Sequence, residues 1–158
     1  MKPPPNSLHA ALLDPAVALG GLFLRVAAGT MIFYIHGWHK LEGWIAWRSH
    51  GTPCLLLDEV AGMGVPMPIA AAAAAAATIV QFVCSLLVVV GLGTRVNAAL
   101  LAIALAGAVA QNLLAGRDPQ LALLYLITVI SLAMMGGGEW SLDANLRRKP
   151  ASLSHFEK

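Results

Sequence analysis

Seven polar side chains stand inside long apolar stretches of this chain: Arg25, His36, Gln81, Gln111, Asn112, Gln120 and Tyr125. In hydrocarbon each such group is expensive, so each is a functional candidate. Arg25 and His36 are eleven residues apart, about three helical turns, and share a helix face with Gly29 and Ile32 or Phe33. Counting the rise per residue sorts the groups into two levels. His36, Gln111, Asn112, Gln120 and Tyr125 fall near the outer surface; Arg25 and Gln81 lie deeper, with Thr78 and Ser85 on the face of Gln81. A histidine, amides and a phenol at one level could donate hydrogen bonds to a quinone carbonyl or relay a proton. They could equally satisfy one another or cap helix ends.

Other chemistries find less support. His36 and His39 have the i, i+3 spacing of a helical metal pair, but no acid or cysteine follows closely enough in sequence to complete a ligand set. No metal site is therefore expected. Cys54 and Cys84 form no CxxC motif and read as free thiols, one in a loop and one buried in a helix. Arg25 has no acid within the apolar stretches. Its charge needs amide or backbone oxygens, Glu139 or Asp143, a lipid phosphate, or an acid from another chain. The last possibility is an argument for a complex or homo-oligomer.

The composition dictates what surrounds these groups. The chain has 158 residues, 58% hydrophobic and 11% charged. A soluble domain carries about 25% charged residues, and one of this size has too little interior to hide so much apolar surface. The solvent for most of the chain is lipid. A net charge of +2 offers no pull toward nucleic acid. The N-terminal "MKPPPNSLHAALLDPAVALGG" lacks a basic start running straight into an apolar core, so the first hydrophobic segment is expected to be a permanent anchor.

A membrane span needs roughly 20 apolar residues. Four segments qualify, about 17–37, 67–91, 95–115 and a short one at 120–137. Alternation with a period of two is missing, which points away from strands. The tight "GLGT" turn imposes an antiparallel hairpin, and Pro119 opens the fourth span, where its missing N–H costs nothing. The expected fold is an all-α, antiparallel four-helix bundle. A tail over 1–16 precedes the transmembrane domain at 17–145, and a basic tail follows at 146–158. Four spans place Lys2, Arg95, Arg147, Arg148, Lys149 and Lys158 on one side and Lys40, Arg48 and Arg117 on the other. The positive-inside rule then puts both termini in the cytoplasm and makes the chain a multi-pass protein of a bacterial inner membrane.

On that layout 38–66 is an outer, interfacial loop. Trp38, Trp44 and Trp47 form an aromatic belt where the first span leaves the membrane, and Lys40 snorkels beside them. The eight alanines Ala70–Ala77 and other small residues suit close helix packing, within the chain or against another subunit.

Four motifs recur in a recognisable order. They are Arg25 early in the first span, His36-Gly37 with Lys40-Leu41, Gly91 to Arg95, and Gly136 to Gly138 with Ser141-Leu142-Asp143. Over about 20–145 the chain resembles the DoxX family of small bacterial and archaeal membrane proteins. The resemblance implies a four-helix membrane bundle and association with redox complexes of the thiosulfate:quinone oxidoreductase type. The family often has a glutamate where this chain has Gln81, and glutamine cannot ionise, which leans toward a structural role. No haem, flavin or iron–sulfur motif is present, so electron transfer would need a partner's cofactor. The leading expectation is an accessory subunit of a larger membrane complex, without intrinsic cofactor. The alternative is a quinone-binding component with His36, Gln111 and Tyr125 on the carbonyls. A transporter is third, since no broken helix pair or inverted repeat is evident.

Overall fold

A computed structural model describes residues 15–148. Every regular element among them is helical. The chain runs α1 (Pro15–Met31), a π-helical segment (Ile32–Trp38), α2 (His39–His50), α3 (Leu55–Ala61) and α4 (Met67–Ile79). A second π-helical segment (Val80–Cys84), α5 (Ser85–Val90), α6 (Thr94–Leu114), α7 (Gln120–Met135) and α8 (Leu142–Arg148) follow. The π-helical turns join their neighbours without a break. Among the described residues three helices are therefore long and apolar enough to cross a membrane: Ala16–His50, Met67–Val90 and Thr94–Leu114. The apolar α7 is shorter, at 16 residues.

The first long helix differs from the expectation. It does not end near Gly37 but continues through Trp38 to His50, 35 residues in all. That is roughly 50 Å, against about 30 Å of hydrocarbon. Residues 38–66 are accordingly not a loop. Two helices, α2 and α3, occupy most of this stretch, and Gly51 in the left-handed conformation ends α2. The run from Trp38 to His50 holds no proline, and its one glycine, Gly43, is tolerated in a helix interior, so nothing in it stops the helix.

Glycines set the closest approach of the first two long helices. A Cβ on Gly29 would lie 2.6 Å from the Val89 side chain, and one on Gly37 2.9 Å from the Gln81 carbonyl oxygen. Without Cβ atoms the backbones come together, which is the main adhesive between helices in lipid. The two π-helical segments meet at this crossing. The core between the helices is built from Ala28, Ile32, Cys84, Val88, Leu101, Leu105, Tyr125, Val129 and Leu132, among others. A second cluster lies at the other end, where Cys54, Leu57 and Val60 cover Ala70 and Ala74, with Trp44 against them. The central alanine run thus buries one face and leaves another exposed.

Candidate functional site

The polar groups separate into three places. The first is the end of the bundle that holds Arg25. Its side chain is 2% exposed and donates to the Gly137 carbonyl and, at 2.9 Å, to that of Trp140. These carbonyls belong to the glycine-rich turn after α7, where Gly136 and Gly138 have positive φ. The guanidinium also presses on Gly91, where a Cβ would meet it at 2.6 Å. Arg25 is therefore met by backbone oxygens of its own chain. Glu139 is exposed, and Nε of Arg25 is buried without a partner among the described residues.

Asp143 closes the same end. Its carboxylate accepts from the Gly93 N–H at 2.7 Å, the Thr94 N–H at 3.0 Å and the Thr94 hydroxyl at 3.1 Å. It thereby satisfies free N–H groups at the start of α6 and meets the positive end of that helix. Burial alone would raise the Asp143 pKa. The Thr94 and Gly93 hydrogen bonds and the charge of Arg147 outweigh it and hold the carboxyl below its ordinary value. The Asp143 N–H returns a bond to the Gly91 carbonyl at 3.0 Å. Arg95 lies against Gly136.

The second place is the middle of the bundle. Gln81 is fully buried, with Thr78 and Ser85 buried on the same face. Thr78 donates to the Ala74 carbonyl and accepts from the Trp44 indole at 3.1 Å. Ser85 donates to the carbonyls of Gln81 and Phe82. Both side-chain amide atoms of Gln81 are without partners among the described residues, as is Nε2 of His36. The His36 ring meets Tyr125 edge-on, with centroids 5.3 Å apart. His39 points elsewhere, to Glu42 at 3.1 Å on an exposed face, and Trp38 donates to the same carboxylate at 2.8 Å. The two histidines make separate contacts.

The third place is the far end. Glu59 on α3 accepts from the Gln111 amide and, at 2.6 Å, from Arg117. Lys40 interacts electrostatically with Glu59. Asn112 is half-buried, and its carbonyl accepts from the Arg117 N–H at 2.8 Å. The Gln120 side chain is exposed, and its N–H is held by Asp118.

The outer level expected from counting is thus divided. His36 and Tyr125 come together, whereas Gln111 joins Glu59 and Arg117. Trp44 reaches Thr78, near the midpoint of Met67–Val90, while Trp38 and Trp47 are exposed. Sequence reasoning missed Glu59. The amphipathic "LLLDEVA" carried the signal, with Leu57 and Val60 on one side and Glu59 beside them. Cys54 and Cys84 are both buried free thiols.

Among known proteins, the DoxX family model matches residues 20–116. No curated protein and no solved structure matches the chain.

Proposed function

The chain belongs to the DoxX family, and from that premise we propose that it is a non-catalytic, accessory subunit of a larger redox complex in a bacterial inner membrane. The carrying observation is where the motif side chains are spent. Arg25, Gly91, Thr94 and Asp143 bond or press on one another's segments and on the glycine-rich turn. They build a clasp at one end of the bundle. In this reading α7 is a fourth span, both termini are cytoplasmic, and the exposed alanines of α4 lie against lipid or another subunit. The test is co-purification: a fixed-ratio partner after gentle solubilisation supports the reading, and a homogeneous, solitary protein with intrinsic turnover refutes it.

A second reading is favoured by one specific feature. Among the described residues His36 Nε2 is buried without a partner beside Tyr125, as a quinone carbonyl would need. In this reading His36 and Tyr125 contact quinone, Gln111 being held by Glu59 instead, and the electrons come from a cofactor on another subunit. His36→Ala then abolishes quinone-dependent turnover of the complex. If the chain is only accessory, the same change alters stability or assembly and leaves turnover per assembled complex intact.

A further inference from the structure

Beneath α3, between the second and third long helices, lies a cleft of about 320 Å³, within the size range of small-molecule sites. Its walls are apolar, with Leu56, Val60, Ala77 and Ile103 among them; Lys40 and Gln111 are the polar lining groups. Ile103 is 71% exposed, so the cleft opens outward from the bundle. Lys40 interacts with Glu59 and Gln111 bonds it, which sets both polar groups toward one end.

The charge on Lys40 is the unusual feature. Lys40 lies between Gly37, which packs on Gln81, and Trp44, which bonds Thr78. Its backbone is therefore level with the middle of Met67–Val90. Among the described residues its ammonium makes no hydrogen bond and no ion pair. Glu59 attracts it, but the same carboxylate already pairs with Arg117 and bonds Gln111. Two cations sharing one carboxylate leave a net positive charge beside an apolar cleft, which an anion would balance.

We propose that the cleft binds a single-chain amphiphile with a carboxylate head, a long-chain fatty acid, whose head pairs with Lys40 and whose chain lies along the apolar walls. A diacyl phospholipid fits less well. The cleft, at about 320 Å³, has room for one acyl chain and not for two.

The experiment is equilibrium binding of radiolabelled palmitate to the purified full-length protein in a neutral detergent, with methyl palmitate in parallel. Palmitate is expected to saturate at one per chain, and the methyl ester to show no saturable binding. Lys40→Met should weaken palmitate at least tenfold. Gly107→Leu should do the same with Lys40 intact, because a Cβ at Gly107 meets open space and the larger side chain fills the cleft. Circular dichroism checks the fold; if Lys40→Met does not fold, Gly107→Leu and the acid-to-ester comparison decide. Equal binding of acid and ester, non-saturable uptake, or wild-type affinity in a folded Lys40→Met or Gly107→Leu variant would each overturn the proposal.

Discussion

Arg25 and Asp143 fasten the same end of the bundle from opposite sides. Arg25, on the first helix, holds the Gly137 and Trp140 carbonyls. Asp143, just past that turn, holds the Gly93 and Thr94 N–H groups. Between them the turn after α7 is tied to the first helix and to the hairpin of the second and third.

Arg25→Met should therefore destabilise the whole chain. It removes two charge-assisted bonds and leaves two carbonyls without their donor, a loss of about 3 kcal/mol. Thermal melting in detergent is the measurement, and Arg25→Lys should recover only part of the loss because lysine lacks the planar fork.

Asp143 predicts a pH dependence with a definite sign. Its folded pKa lies below the unfolded value, which is about 3.9. Its contribution is then fully present above that pH and fades as pH falls through the folded value. Melting temperature measured from pH 7 down to 3 should drop at the acid end in the wild type. Asp143→Asn should start lower at pH 7 and show less of that drop.

Gly37→Ala should force the two facing π-helical segments apart, since its Cβ would lie 2.9 Å from a backbone oxygen that cannot easily move. Overpacking of this kind costs about 1–3 kcal/mol. Gly107→Ala, with open space around the new methyl group, should be neutral or stabilising by up to about 1 kcal/mol. Paired melting curves of the two variants separate close approach from helix propensity.

Glu59→Ala should release α3 locally. The bonds to Gln111 and Arg117 go, while Leu57 and Val60 remain packed on α4. Hydrogen exchange over Leu55–Ala61 should quicken by roughly tenfold, about 1.4 kcal/mol, with little change in global melting.

The sequence made some of this legible and concealed the rest for physical reasons. Span-length apolar runs over Met67–Val90 and Thr94–Leu114 were plain, because lipid demands them. The burial of Gln81, Thr78 and Ser85 on one face followed from helical spacing. The first helix was read as too short: the tryptophans, His36 and Lys40 looked like an exit from lipid. In the fold Trp44 instead finds Thr78 on the neighbouring helix. Depth counted along one helix cannot show what its neighbour offers at that height. The π-helical segments left no periodic mark at all, since each widens the helix by about one residue. Gln111 meets Glu59, which lies on a short helix, Leu55–Ala61, inside a stretch whose glycines and prolines resemble a turn-rich loop.

The most direct measurement is gentle solubilisation of native membranes, followed by mass spectrometry of all that stays bound to the wild-type chain and to His36→Ala. The account predicts a redox complex in fixed ratio with both, and unchanged turnover per assembled complex in the variant. A solitary chain, or a variant that assembles fully yet loses quinone-dependent turnover, would contradict it.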